Sequence, residues 1–175
     1  VVNPRGMEPV GDKGIFEAVT GEFRHLLHAS TVSHTPWTRL FYDRNTTGLK
    51  GEAISDLIEW TTHHQQDVIL KPVHGYSGKG ILVGPFSEEW DKDVLDAVKE
   101  GAYIVQSFIP EALWSEEFAW LDLEKEEIFL KKWQTDFRCL INDQGLIGFL
   151  ARFGGIPTNV GAGGGNQSVA LVKGT

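Results

Sequence analysis

The 175-residue chain has one cysteine and one methionine. Because Cys139 stands alone, no internal disulfide can form and no zinc site can be built from several thiolates. Basic residues are also few, since 16 Lys and Arg stand against 24 Asp and Glu for a net charge of −8. Non-specific nucleic-acid binding needs many basic contacts, so no nucleic-acid partner is expected. No apolar run approaches the roughly 20 residues that span a bilayer, and no membrane contact is expected either.

Two further absences concern the ends of the chain. It begins Val1–Pro4 without an initiator methionine or a signal-peptide pattern, which predicts a fragment or a processed product. With nothing that points to secretion, the predicted location is cytoplasmic. From Gln144 onward there is no carboxylate, glycine is concentrated, and Arg152 and Lys173 supply positive charge. A glycine-rich, acid-free end on an acidic protein indicates a place for an anion.

Hydrophobic residues make up 41% of the chain and charged residues 23%, as in globular proteins, which argues against disorder and against a fibrous fold. Apolar periodicity predicts helices over 12–28, 52–66 and 87–100. It predicts strands over 68–73, 81–83, 102–109, 128–133, 135–142, 145–152 and 168–173. Residues 29–50 have the composition of an irregular connection, and 111–127, rich in acids and aromatics, that of a solvated excursion.

This order of elements predicts a mixed α+β or α/β fold. Three segments are expected: an N-terminal helical part at 1–66, a lid-like part with a glycine loop at 67–110, and antiparallel strands at 111–175. The helix that begins after Ser87 is predicted to end at Gly101. Its buried stripe is predicted to be Trp90, Val94, Leu95 and Val98.

The segment 70–80 is the first that could carry chemistry. Lys71 lies inside an apolar strand, where an ammonium group needs a partner. The loop after it has glycines at 75, 78 and 80, whose amides could surround an anion, and Lys79 adds a mobile charge. No Gly-Lys-Ser/Thr sequence opens a helix here, so it is not a P-loop. A plain glycine hairpin whose lysines reach solvent is the alternative.

Three later segments are compatible with the same chemistry. The end of strand 103–110 could offer its main chain to an adenine ring, although a plain core strand explains it as well. Arg138 and Arg152 could converge on phosphate oxygens, while a structural Asp136–Arg138 ion pair is the alternative. The loop 154–165 could fold over a triphosphate or an acyl phosphate, or it could be an ordinary flexible surface loop.

In this order, the four segments resemble the ATP-grasp family. Asp12–Gly14 before a helix is similar to the short Asp-Lys or Asn-Lys start seen in these enzymes. The segments that resemble the circularly permuted ATP-grasp proteins, distant relatives of glutathionylspermidine synthetase, are 35–39, 68–84, 103–106 and 158–165. The resemblance implies mainly antiparallel sheets with packed helices, and ATP as the ligand. The implied activity joins a carboxylate to an amine through an acyl phosphate.

The resemblance also implies roles for individual residues. Lys71 would bind the α-phosphate side of ATP. The lid over the β- and γ-phosphates would consist of Gly75, Ser77, Gly78, Lys79 and Gly80. The adenine hinge would consist of Gln106, Ser107, Phe108 and Ile109. The residues that hold the transferring phosphoryl group or the acceptor would be Arg138, Arg152, Asn159, Gly163 and Gly164.

The main difference between this chain and the family concerns the residues that bind Mg²⁺. The family commonly holds Mg²⁺ with an Asp or Glu and a Glu-x-Asn pair, and this chain has no Glu-x-Asn. In circularly permuted relatives the metal segment precedes the part resembled here, so the expectation is an upstream segment and a chain that is inactive alone. A homo-oligomer is left open, and the acceptor carboxylate and amine are not identified.

The main alternative is a non-catalytic binding or interaction module that keeps the ATP-grasp form. A carbohydrate or peptide recognition domain would leave Lys71 and the glycine loop unexplained. Glu22 precedes His25 by three positions, but neither His25/His28 nor His63/His64 belongs to a His-Glu-x-x-His motif, so a zinc site is not predicted.

Overall fold

The computed structural model describes residues 11–75, 78–110, 114–122, 124–156, 158 and 163–170. The chain forms two compact units, residues 1–109 (unit 1) and 110–175 (unit 2). Both contain antiparallel sheets, and the helices of the described residues lie in unit 1, which confirms the α+β class. None of the described helices is long and apolar enough to cross a membrane.

The main sheet of unit 1 has four antiparallel strands in the order β1–β6–β4–β5. The strands are β1 (Thr38–Phe41), β4 (Val68–Pro72), β5 (Leu82–Val83) and β6 (Tyr103–Ser107). A separate hairpin pairs β2 (Thr46–Thr47) with β3 (Ala53–Ile54). The sheet takes strands from both 1–66 and 67–110, so the boundary expected at residue 66 does not divide the fold.

One face of this sheet carries the core. Helices α3 (Leu57–His63) and α4 (Trp90–Glu100) pack there. The buried apolar residues of this cluster are Phe41, Ile54, Leu57, Val68, Leu70, Trp90, Val94, Ala97, Tyr103 and Val105. Burial of such side chains supplies most of the stability of a unit of this size.

Helix α4 ends where the sequence predicts, at Gly101, whose φ is +68°. Its buried stripe is Trp90, Val94 and Ala97, whereas Leu95 and Val98 are 54% and 36% exposed. The predicted stripe was therefore wrong at those two positions. Positions i, i+4 and i+7 share one helix face, and Leu95 and Val98 lie to the side of the line that meets the core.

The helix predicted over 12–28 is interrupted. Helix α1 spans Ile15–Thr20, a 3₁₀ helix spans Glu22–Leu26, and Gly21 separates them. A Cβ at Gly21 would lie 2.7 Å from the backbone oxygen of Glu17, so this close turn requires glycine. The segment's apolar side chains, including Phe23 and Leu26, are largely exposed.

The predictions for 29–66 were also partly wrong. The stretch 29–50, expected to be irregular, contains α2 (Ala29–Ser33), β1 and β2. The helix expected over 52–66 is shorter, because β3 occupies its start and Asp56 caps α3 through the amides of Ile58 and Glu59. A 3₁₀ turn at Gln65–Asp67 follows.

Unit 2 is a meander in the order β10–β9–β8–β7. The strands are β7 (Trp114–Asp122), β8 (Glu127–Asn142), β9 (Gly145–Gly154) and β10 (Gly165–Gln167). Three corrections follow. The expected excursion at 111–127 contains β7, and the two strands expected over 128–142 are one, because β8 pairs continuously through Trp133–Thr135. Of the strand expected over 168–173, residues 168–170 have no regular structure and 171–173 lie outside the described residues, so β10 is the last strand of the described part of the chain.

The pairing of β8 is staggered. Its residues Glu127–Thr135 pair with β7, and its residues Gln134–Asn142 pair with β9. Only Gln134 and Thr135 therefore have paired strands on both sides within the described sheet. Thr135 is buried, while residues toward both ends, such as Leu130 and Ile141, are 69% exposed.

Candidate functional site

Lys71 belongs to a polar chain of hydrogen bonds that crosses three strands. Its Nζ donates to Gln106 Oε1 at 2.6 Å, and Gln106 Nε2 donates to Thr38 Oγ1 at 2.8 Å. Thr38 Oγ1 in turn donates to the carbonyl of Pro36 at 2.9 Å. The register explains the contact, because Thr38 on β1 and Ile69 on β4 both stand opposite Gln106 on β6. Side chains two residues apart share a sheet face, which brings Lys71 within reach.

This chain of bonds is held in a poorly solvated place. Gln106 is 7% exposed and Thr38 is fully buried, while Lys71 is half-buried. Burial lowers the pKa of Lys71, and the nearby charge of Lys13 lowers this pKa further. The sequence requirement that an ammonium in an apolar strand have a partner is met by Gln106, a neutral acceptor.

The glycine loop connects β4 to β5. Gly78 and Gly80 have φ values of +73° and +70°, a backbone region that glycine adopts without strain. At Gly80 a Cβ would also lie 2.9 Å from Pro72 Cγ, so the loop passes close to the end of β4. Lys79 is exposed, Gly75 begins the loop, and Ser77 lies outside the described residues.

Lys13 anchors the first part of this loop. Its Nζ donates to the carbonyls of Pro72 and Gly75, each at 2.9 Å, and the carbonyl of Val73 is 3.5 Å away. In the sequence, Lys13 is marked only by the resemblance of Asp12-Lys13-Gly14 to the start of ATP-grasp enzymes, which predicts no contact for its side chain. Its partners lie about 60 residues along the chain, and no local signal identifies them.

Two backbone amides of the expected adenine hinge already donate hydrogen bonds within unit 1 and are not free for an adenine ring. The amide of Ser107 donates to the carbonyl of Trp37 at 2.9 Å, and the amide of Phe108 donates to the carbonyl of Asp67 at 2.7 Å. Both N–H groups are therefore used inside unit 1. The ring of Phe108 packs edge-on against Phe86, and Ile109 is 40% exposed.

In unit 2, Arg152 is bound to Asp136. These residues are opposite each other on β9 and β8. Arg152 Nε donates to Oδ1 at 3.1 Å and Nη2 donates to Oδ2 at 2.5 Å, a two-bond fork that Thr158 extends by donating its hydroxyl to Asp136. The expected Asp136–Arg138 pair was therefore wrong about the partner, because cross-strand neighbours are closer than positions two apart on one strand.

The electrostatics of this group favour the charged carboxylate. Burial raises the pKa of Asp136, but hydrogen bonds from Arg152 and Thr158, with the charges of Arg152 and Arg138, outweigh this and lower the pKa below its ordinary value. Arg138 itself is exposed and faces Leu150 across the ladder. Gly163 and Gly164 precede β10, and Asn159 lies outside the described residues.

The predicted residues thus form two groups, each within its own unit. Lys71, Gln106, Ser107 and the glycine loop belong to unit 1, while Arg138, Arg152 and Gly163–Gly164 belong to unit 2. Among the described residues there is no group of three or more His, Cys, Asp or Glu side chains able to hold a metal ion.

Comparison of the chain with models of known protein families gives no match, and comparisons with curated proteins and with solved structures find no significant similarity.

Proposed function

We propose that this chain is the ATP-binding portion of an ATP-grasp-like carboxylate–amine ligase. One observation carries the proposal: the half-buried ammonium of Lys71, held by Gln106, stands on the strand that leads into the glycine loop. A positive group in a poorly solvated place gains from a bound anion, because the neutral partner offsets only part of its lost hydration. Phosphate oxygens supply that charge.

The loop is suited to the rest of a polyphosphate. Its glycines leave the backbone amides unobstructed, and Lys79 brings a second, exposed cation. Lys13 holds the carbonyls of Pro72 and Gly75 and so fixes where the loop departs from β4. A protein contributes mainly positioning and charge to phosphoryl transfer, and these are the functions such residues can perform.

The chemistry of such a ligase has two steps. A carboxylate takes the γ-phosphoryl group of ATP, and an amine then displaces phosphate from the acyl phosphate. In this proposal Lys71 and the loop bind and orient the nucleotide. The resemblance assigns contact with the transferring phosphoryl group to Arg138, whose guanidinium is exposed. The family's Mg²⁺ finds no fitting set of donors among the described residues, so no step here is assigned to it.

One observation favours the second candidate, a non-catalytic module of the same form. The fork of Arg152 already holds Asp136 through two hydrogen bonds. Stabilising a transferring phosphoryl group would require this pair to open, at the cost of leaving a partly buried carboxylate without its partner. A module that only binds a nucleotide has no such requirement.

Calorimetric titration of the chain with ATP, with and without Mg²⁺, tests the nucleotide site. We expect Lys71→Met to weaken binding about tenfold, which is about 1.4 kcal/mol. Lys99→Met is the matched control, since Lys99 is an exposed cation that pairs with Asp96 on α4, and it should leave binding unchanged. Equal affinities for wild type and Lys71→Met, or no heat at millimolar ATP, would contradict the assignment.

Turnover separates the two candidates. In the longer protein of which this chain is proposed to be a portion, a ligase should form ADP in the presence of a suitable carboxylate and amine, and Arg138→Ala should slow that reaction. A module should bind ATP without turnover, and its binding should be insensitive to Arg138→Ala.

A further inference from the structure

A cavity of about 610 Å³ lies beside β1, at the edge of the unit 1 sheet. This volume is within the range of small-molecule sites. The polar part of its lining includes Glu17, Arg24, Arg39, Arg44, Thr46 and Thr47. None of these residues belongs to the proposed nucleotide site.

Arg39 is the unusual member of this lining. The residue is only 3% exposed, yet the hydrogen-bond acceptors it reaches among the described residues are neutral oxygens. The acceptors are Thr46 Oγ1 at 3.0 Å, Thr47 Oγ1 at 2.8 Å, Thr20 Oγ1 at 3.2 Å and the Thr38 carbonyl at 2.7 Å. A buried cation without an anion in contact carries a desolvation cost, and the ring of Trp37, whose centroid is 5.0 Å from the guanidinium carbon, offsets only part of it.

The charges around Arg39 leave that cost in place. Burial lowers the pKa of Arg39, the charge of Glu17 raises this pKa, and the charges of Arg44 and Arg24 lower it again. Three arginines face two acids, Glu17 and Glu22, so the charged lining of the cavity is positive on balance.

Glu17 shows how this cavity holds a carboxylate. Its Oε1 accepts from Arg44 Nη1 at 2.8 Å, and its Oε2 accepts from the amide of Leu40 at 2.7 Å. One guanidinium and one backbone amide thus already bind a carboxylate beside Arg39. The same cavity has apolar lining from Ala18, Phe23 and Leu40, which fits a ligand with a hydrocarbon part.

We propose that this cavity binds a small organic carboxylate, with its charged end at Arg39 and Arg44 and its apolar part against Phe23 and Leu40. Arg44 has N–H donors beyond the one that Glu17 accepts and can hold the planar carboxylate in a fork. Arg39, with four of its five N–H groups already bonded, offers the fifth N–H and a positive charge that the ligand's carboxylate neutralises. Inorganic phosphate would use the cations but leave the apolar wall without a partner. This inference does not rest on the proposed ligase function.

The probes are 3-phenylpropionate, acetate and inorganic phosphate, each titrated at constant ionic strength into the isotope-labelled 175-residue chain while the arginine Nε–Hε signals are followed by NMR. We expect saturable shifts of the Arg39 signal with 3-phenylpropionate, weaker binding of acetate, and weaker binding of phosphate. Arg44→Gln should weaken the binding of 3-phenylpropionate about tenfold. Glu17→Gln should tighten it, because this variant removes the chain's own carboxylate from the cavity.

The control is Lys99→Gln. Lys99 is an exposed cation on α4 outside the cavity lining, so its replacement should leave the affinity for 3-phenylpropionate unchanged. Arg44 is used rather than the fully buried Arg39 because its partly exposed side chain can be replaced with less risk to folding. Shifts that do not saturate, an affinity for phosphate equal to that for 3-phenylpropionate, or an unchanged affinity in Arg44→Gln would each overturn the proposal.

Discussion

Because Lys71 and Gln106 share a hydrogen bond, replacing Gln106 should destabilise unit 1 more than replacing Lys71. Gln106→Leu removes the acceptor of a half-buried ammonium and the donor to Thr38 Oγ1. Hydrogen bonds to charged groups contribute about 1.5–3 kcal/mol and neutral ones about 1 kcal/mol. After the apolar gain from leucine is subtracted, we expect the free energy of unfolding of unit 1 to fall by about 3 kcal/mol.

Lys71→Met should cost much less. It removes the ammonium together with the penalty for its lost hydration, and the flexible methionine fills most of the same space. What remains is the amide oxygen of Gln106 without its donor, so we expect a change of about 1 kcal/mol or less. In the Lys71→Met background, Gln106→Leu no longer leaves a cation without an acceptor, and its cost should fall to about 1 kcal/mol.

The double-mutant cycle is measured by urea unfolding, following the amide NMR signals of β4 and β6 so that only unit 1 is reported. We expect a coupling energy of about 2 kcal/mol between the two positions. Lys92→Met, on the exposed side of α4, is the control for loss of a lysine as such. Additive effects within about 0.5 kcal/mol would refute the reasoning, because they would show that Gln106 does not solvate the ammonium.

Two further predictions concern other parts of the chain. Gly84→Ala should lower the stability of unit 1 by about 3 kcal/mol in urea unfolding, because the new Cβ would clash with the backbone oxygen of Gln65. Gly11→Ala, where a Cβ would have nothing within 4 Å, should be neutral. In unit 2 the pKa of Asp136 is lower in the folded chain than its ordinary value. The ion pair of Asp136 therefore stabilises the fold at pH values above the ordinary pKa of a carboxyl group. This stability is lost as the pH falls through the lowered pKa. Asp136→Asn should therefore cost about 1 kcal/mol at pH 7 and flatten the acid limb of the stability profile; an unchanged profile would contradict it.

The parts of the fold that were predictable are those fixed by local signals. The apolar run at 68–72, the glycines after it and the cap at Gly101 each act within a few residues, and each was placed correctly. β1 was missed because it buries two polar residues, Thr38 and Arg39, and a short strand with buried polar residues shows no apolar pattern. Thr38 accepts a hydrogen bond from Gln106, which lies 68 residues later in the chain. No local sequence pattern predicts that this threonine is buried.

The candidate site shows the same division. Lys71 could be chosen because a lysine in an apolar strand violates a local rule, and the structure supplies the reason in Gln106. The partner of Asp136 could not be chosen, because alternation along β8 places Arg138 on its face but only the register with β9 brings Arg152 opposite. Register between strands depends on the turn and the whole sheet, not on either strand alone.

The staggered pairing of β8 leaves an open hydrogen-bonding edge on each half of the strand within the described sheet, on opposite sides. Such edges are templates onto which a strand of another molecule can add. Charged side chains on an edge hinder that addition, and Lys131 and Lys132 stand on one half of β8 while Arg138 stands on the other. Replacing these cations would therefore promote self-association of the protein through its sheet edges, and it would affect the folding of unit 2 less.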